Sequence, residues 1–437
     1  YVSGLGKIFE NYRGKIYSSG FSTFKKLSVN KIEIFLSKIC NQFNETILDN
    51  RKDNGLFDAY NTINIDSKNL AIDIQKLELM LEGQVAGLSC ESQNSFNSTS
   101  TLKSLFSSSL YRADMNSFIL YPEKEITPFL KKNIIEPEHL KKSVLLIKMV
   151  DQKNTSIVEK DSDSNFRFNP KFRNIFDLSR AIKKLPKSET EDVLFEEELE
   201  YISKIYELVF NHRNFTGRSG TMFSYEGIGS IYWHMVSKLL LATQENFFLA
   251  KNNNSSEKNT IQSLGSYYYK IREGLSAAKT PKEYGAFPFD PYSHTPSHSG
   301  AQQPGMTGQV KEEILTRFGE LGCFVQNGCI MFDTALLLKE EFLIKNQVFT
   351  YFDIFKTKRS LEILENQLAY TFCQVPIVYT LSETDCHLNL IFKDKSSKRI
   401  EGNLIDHKRS QSIFDRDGSV NRIEFYLNEK FLFNNNL

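Results

Sequence analysis

Tryptophan occurs once in this chain, and proline is scarce at 11 of 437 residues, nearly half of it crowded into one short stretch. A glycan-stacking platform rich in tryptophan is therefore excluded, although Phe 35 and Tyr 19 keep the aromatic share at 13%. The six cysteines lie at 40, 90, 323, 329, 373 and 386, with no Cys-x-x-Cys pair and no histidine at zinc spacing. Free buried thiols in a reducing compartment are the expectation, and with them a cytoplasmic location. A long apolar run is missing too: Leu239-Leu-Leu-Ala242 is broken at once by polar residues, far short of the roughly 20 that span a bilayer. Neither sign of charge dominates. Lys plus Arg is 54 against 53 for Asp plus Glu, which removes nucleic acid and anionic membrane as default partners.

What is present reads as a soluble folded chain with two grammars. Apolar residues at three- and four-residue spacing predict helices over 29–48, 193–212, 228–250, 261–277 and 309–321. Residues 75–90 also read as helical, with Gly83 and Gly87 allowing close backbone approach. The Ser/Thr/Asn-rich stretch 91–105 reads as a loop, and the polar run 151–192 as an irregular surface excursion. After Gly322 strands take over, beginning with a hairpin around Asn327-Gly328. Helices first and strands afterwards predict an α+β chain. Its helical portion is 1–322, with an irregular excursion at about 91–192, and its β-rich module is 323–437.

Two segments stand out from the Asn/Lys/Ser background. One runs from Gly217-Arg-Ser-Gly220 through Tyr225-Glu-Gly227 into Tyr232-Trp-His234. The other is Tyr284-Gly-Ala-Phe-Pro-Phe-Asp-Pro-Tyr-Ser-His-Thr-Pro296 followed by Gly300-Ala-Gln-Gln-Pro-Gly-Met-Thr-Gly-Gln309. Shaped Gly/Pro/aromatic loops are where binding groups tend to sit, so the two segments are expected to meet around one pocket. Thr307 and Gly308 precede a helix start suited to an anion, or Thr307 is simply that helix's N-cap. Arg218 suits a phosphate clamp or a surface ion pair. Glu226 and Asp290 are the candidate catalytic carboxylates. Glu82 and Gln84 in an apolar helix point to a buried network or a substrate contact. Tyr225, His234, Tyr284, Tyr292, His294 and Gln303 complete the candidate substrate contacts. Asp290, His294 and His298 share no fixed helical face, so no metal site is expected, and no organic cofactor.

The order of these segments resembles the inverting glycoside phosphorylases of the cellobiose phosphorylase type. Ala59-Tyr60-Asn61 and Leu81-Glu-Gly-Gln-Val-Ala-Gly-Leu-Ser89 are similar to that family's Ala-Tyr segment and its Gln-Ser-Trp-Ala-Val-Leu-Ser-Gly helix. Ser219-Gly-Thr-Met-Phe-Ser-Tyr225 resembles its Asn-Gly-Gly-Gln-Tyr-Thr-His run, and Met306-Thr-Gly-Gln309 its Tyr-Thr-Gly-Ser turn. The exit through Leu321-Gly322 and Phe332-Asp-Thr-Ala-Leu336 looks like that family's passage from toroid to β-domain. The resemblance, strongest to large bacterial relatives, implies part of an (α/α)6 toroid followed by a small C-terminal β-module. It also implies inorganic phosphate as co-substrate, an oligosaccharide or sugar phosphate as partner, and phosphate contacts from Thr307 and Gly308. Tyr225 stands where the family has its phosphate-contacting histidine, and His234 or His294 is the expected substitute.

The same resemblance implies inversion. A carboxylic acid protonates the glycosidic oxygen while phosphate attacks the opposite face. No Asp-Trp-Asn-Asp motif precedes Ala59, so the general acid is expected before Tyr1, in a longer chain of which this is the C-terminal portion. The remainder of that chain and a second copy are the expected protein partners. Three other outcomes stay open: a hydrolase, a polysaccharide lyase using Tyr284 or Tyr292 with His294, and a non-catalytic sugar-binding or structural relative.

Overall fold

A computed structural model describes residues 2–19, 26–66, 71–77, 79–90, 95–123, 127–186, 195–211, 229–253, 256–275, 278–288, 290, 292–296, 299–302, 304, 308–383 and 386–434. The chain divides into two compact units, Tyr1–Lys52 and Asp53–Leu437. The first carries helices α1 (Val2–Ser19) and α2 (Val29–Asp49). Its amphipathic spacing is plain, yet Ile32, Phe35, Leu36 and Phe43 stay exposed.

The second unit opens with the antiparallel pair β1 (Asn61–Asp66) and β2 (Ala71–Lys76). Helix α3 (Leu81–Leu88) follows, so the predicted 75–90 helix starts later because β2 still holds Gln75 and Lys76 extended. A Cβ at Gly83 would fall 2.9 Å from Ala59, and one at Gly87 2.5 Å from the Phe57 ring. The two glycines thus let α3 lie directly on residues 57–59. Helix α4 (Ser95–Phe106) occupies the stretch expected to be a loop. Two of its hydroxyls are buried and bonded outward: Ser98 Oγ donates to Asn246 Oδ1 at 2.5 Å and Thr101 Oγ1 to the Gly55 carbonyl at 2.8 Å. Tertiary partners, invisible in a window of sequence, override the weak helix preference of Ser and Thr.

The described part of the run expected to be irregular, up to residue 186, also carries regular elements. After the short pair β3 (Tyr111–Arg112) and β4 (Ser117–Phe118), the chain forms α5 (Pro137–Leu140), α6 (Val144–Asp151), β5 (Val158–Lys160), β6 (Phe166–Phe168), α7 (Ile175–Lys183) and α8 (Phe195–Phe210). Ile135, Leu145, Leu146, Met149, Ile157, Phe168, Leu178, Ile182, Ile202 and Tyr206 make a core of their own. The polar Asp161–Asn165 run is the turn between β5 and β6. Asp161 accepts the amides of Asp163 and Asn165 and the Arg167 guanidinium at 2.6 Å, and the guanidinium first, then those hydrogen bonds, hold its carboxyl at about 2. Both ends of this region are tied together: Leu120 N donates to Ser230 O at 2.9 Å and Gly229 N to Tyr121 O at 3.3 Å.

From there β7 (Ile231–Tyr232) leads into α9 (Trp233–Asn252), α10 (Lys258–Arg272), α11 (Pro281–Tyr284), β8 (His294–Thr295) and α12 (Gly308–Leu321). Helix α9 is apolar on several faces, as expected of a helix packed all round, and it contacts α3, α4, α10 and α12. The strands follow: the hairpin β9 (Cys323–Gln326) and β10 (Cys329–Phe332), then β11 (Gln347–Phe352), β12 (Lys358–Ile363), β13 (Gln367–Phe372), β14 (Val375–Leu381), β15 (His387–Phe392), β16 (Ser397–Glu401), helix α13 (His407–Phe414) and β17 (Val420–Leu427). Asn327 and Gly328 both take positive φ, 51° and 74°, as a two-residue hairpin requires. Five strands form one sheet in the order β13-β14-β17-β15-β16, with only β14 and β17 parallel.

This sheet has its own core but is pinned to the helices. Tyr379 donates to the Leu321 carbonyl at 2.7 Å, and Arg317 bridges Glu320 at 2.7 Å and Glu341 at 2.5 Å. Phe433, near the end of the described chain, returns to the helical core.

Candidate functional site

The described parts of the two unusual segments meet at residues 231–233 and 284–295, through elements too short to read from sequence. Strand β7 pairs with β8, setting Ile231 opposite Thr295 and Tyr232 opposite His294. The Trp233 indole N–H donates to Thr295 Oγ1 at 2.8 Å, and its ring meets Tyr284 edge-on at 5.0 Å. Tyr232 lies between two histidines, stacked on His294 at 5.0 Å and perpendicular to His234 at 5.8 Å. Of the other sequence candidates, Tyr292 is half-buried and pairs with Pro304, while Asp290 is exposed. Arg218, Tyr225, Glu226, His298, Gln303 and Thr307 lie outside the described residues; Gly308 is the first residue of α12.

Gln84 and Glu82 separate. The Gln84 amide is buried and clasps backbone, accepting from Phe57 N at 2.8 Å and donating to Phe57 O at 2.7 Å and Met80 O at 2.9 Å. Glu82 is partly open and accepts the Tyr60 hydroxyl at 2.8 Å. Close by, the buried Asp58 carboxylate pairs with Lys76 at 3.0 Å.

Helix α12 is built the wrong way round for a core helix. Its buried face carries Gln309, Glu312, Thr316 and Glu320, each only 2–3% exposed, whereas Val310, Ile314 and Leu315 face outward. Buried polar groups at this density need partners. Glu320 has them: Tyr268 at 2.6 Å, Arg272 at 3.1 Å and Arg317 at 2.7 Å. Glu312, at the other end, lies 3.8 Å from His234 Nε2 and 3.5 Å from Lys311 Nζ, and its Oε2 is buried without a hydrogen-bond partner. Burial, then Lys238, pushes the His234 imidazole below its ordinary pKa against the opposing pull of Glu312. Burial likewise raises the Tyr284 phenol far above the usual range, and its hydroxyl has no partner in ordinary hydrogen-bond geometry.

Residues 126–213 match the family model described as GH149 phosphorylase insertion domain 2. The match coincides with the region whose core is self-contained and whose two ends are hydrogen-bonded to each other, the anatomy an insertion requires. It relates the chain to glycoside phosphorylases without pointing to the cellobiose phosphorylase type. No curated protein matches the chain. Among the described residues no group of three or more His, Cys, Asp or Glu could hold a metal ion, and no helix is long and apolar enough to cross a membrane.

Sequence reasoning named His234 but passed over Tyr232, two residues away in the same segment, and Glu312. In Lys311-Glu312-Glu313 it reads as one charge of a solvated run. The available signal was the spacing 309, 312, 316 and 320, a polar stripe at helical period facing an apolar helix.

Proposed function

We propose that this protein is a glycoside phosphorylase, exchanging a glycosidic bond in an oligosaccharide for a sugar 1-phosphate with inversion at the anomeric carbon. The match of residues 126–213 to a phosphorylase insertion domain carries the reading. Phosphate is held in this reading by Thr307, by the amides that open α12 at Gly308, and by Arg218. A helix N-terminus, a hydroxyl and a guanidinium together suit a doubly charged anion. Phosphate is already nucleophilic, so positioning and charge neutralisation serve it better than a general base. The helical portion is read as part of an (α/α)6 toroid, and the strands as its C-terminal module. The lyase alternative is left with Tyr292 as its base, since a fully buried tyrosine whose phenol is held protonated, as at Tyr284, does not abstract a proton near neutral pH.

The purified full chain, incubated with an oligosaccharide panel with and without inorganic phosphate, should release sugar 1-phosphate only with phosphate. Proton NMR of the first product reports the anomer. Thr307→Val should weaken phosphate use strongly while leaving melting little changed. Equal sugar release with and without phosphate would replace this reading by hydrolysis.

A further inference from the structure

The unpartnered end of the α12 stripe has a direction. Glu312 faces His234 Nε2 at 3.8 Å, and His234 Nδ1 faces the Tyr232 hydroxyl at 3.4 Å. Among the described residues the charged groups acting on His234 are Lys238 on its own helix and Glu312 and Lys311 on α12, and Tyr232 lies against its ring. Burial favours the neutral imidazole, and a carboxylate beside Nε2 fixes the tautomer, with the proton on Nε2. Nδ1 is then a lone pair, and the Tyr232 O–H turns toward it. At 3.8 Å the Glu312 carboxylate is the nearest acidic group to Nε2, which makes no hydrogen bond among the described residues. The phenol oxygen keeps its free lone pairs, and an oxygen in that state recognises a donor. Both separations exceed a formed hydrogen bond's, and such bonds often tighten only once the ligand is in place.

We propose that Glu312, His234 and Tyr232 form an orienting chain that presents the Tyr232 oxygen as a hydrogen-bond acceptor for one sugar hydroxyl. Tyr232 touches the sugar, and His234 and Glu312 are positioning residues. The proposal deepens the carbohydrate reading above and rests on it for the ligand class. His294, stacked on the Tyr232 face, holds the ring in place.

The test is equilibrium binding of glucose and its monodeoxy derivatives to the full chain by calorimetry, beside melting curves. In the wild type one monodeoxy glucose should bind about 3- to 10-fold more weakly than glucose, the loss of a single hydrogen bond. Tyr232→Phe keeps the ring stacked and should erase that discrimination without lowering affinity for the deoxy sugar. Glu312→Gln should erase it too, because an amide no longer dictates which nitrogen carries the proton. If Glu312→Gln fails to fold, Tyr232→Phe alone decides. Equal binding of every derivative, discrimination that survives in Tyr232→Phe, or no glucose binding at all overturns the proposal. Discrimination in a protein that makes no sugar 1-phosphate would instead uphold it and sink the phosphorylase reading.

Discussion

Gln84 offers the sharpest separation of a binding role from a structural one. Its amide joins α3 to residue 57 on both backbone groups and closes on the Met80 carbonyl at the helix start, all inside the core. Gln84→Met keeps the volume and removes all three hydrogen bonds, leaving a buried N–H and two carbonyls without their partner. Each hydrogen bond contributes about 1 kcal/mol net, and desolvated orphans cost more, so about 3 kcal/mol is the expected loss. A cooperative unit the size of residues 53–437 has an unfolding entropy of roughly 0.8 kcal/mol/K at its midpoint, which converts that loss into a fall of about 4 °C. Calorimetry on wild type and variant measures it, and urea titration checks that the slope is unchanged. Sugar binding per folded molecule should stay within about twofold, since 1.4 kcal/mol corresponds to tenfold and no ligand contact is removed. A variant that melts with the wild type but no longer binds sugar would refute this reasoning and make Gln84 a substrate contact.

Three further outcomes follow from particular contacts. Burial lowers the Lys279 pKa from 10.5 to about 8, and its ammonium lies 5.5 Å from the Trp233 ring. The fluorescence of this single tryptophan should titrate with a midpoint near 8 and lose that step in Lys279→Met. Because the unfolded chain keeps the proton up to about 10.5, Lys279 makes stability rise with pH between 8 and 10.5, and Lys279→Met should remove that slope. A Cβ on Gly265 would meet the Phe433 ring at 2.2 Å, so Gly265→Ala should cost about 1–3 kcal/mol and be partly rescued by Phe433→Ala, read from paired denaturation curves. Residues 126–213 expressed alone should melt cooperatively, and replacing 127–211 by a short Gly/Ser linker should leave Trp233 emission in its buried, blue-shifted state.

What could be read from sequence was what local pattern controls. The Asn327-Gly328 turn, the apolar helix α9 and the 195–210 helix follow from dihedral preference and periodicity, and their positions hold to within a few residues. Helix α4 escaped because its hydroxyls are satisfied by Gly55 and Asn246, residues 46 and 148 positions away. The region 135–182 escaped because its buried residues are spread among polar turns and short elements, with no run long enough to show a period. For the candidate site, the unusual segments singled out His234, Tyr284 and His294, but not Tyr232, nor that β7 and β8 pair Tyr232 with His294. Two-residue strands carry no pattern. Glu312 was hidden by the opposite problem, a helix whose buried face is its polar one.

That inversion also explains why the two ends of α12 differ. Glu320 and Glu312 lie on one face of one helix, two turns apart, and both are almost wholly removed from water. Removing a carboxylate from water costs several kcal/mol unless hydrogen bonds and opposite charge return it. At Glu320 they do: both oxygens are engaged, by a tyrosine and two arginines, and Arg317 carries the network on to Glu341 in the β-module. This end fixes the module against the helices. At Glu312 the return is partial, one oxygen facing an imidazole and a lysine at long range and the other without a hydrogen-bond partner among the described residues. An arrangement selected for stability alone would close both ends alike, or replace the second with an apolar residue of similar size. The Glu320 end of the helix is completed by the protein itself, whereas at the Glu312 end one carboxylate oxygen has no hydrogen-bond partner among the described residues.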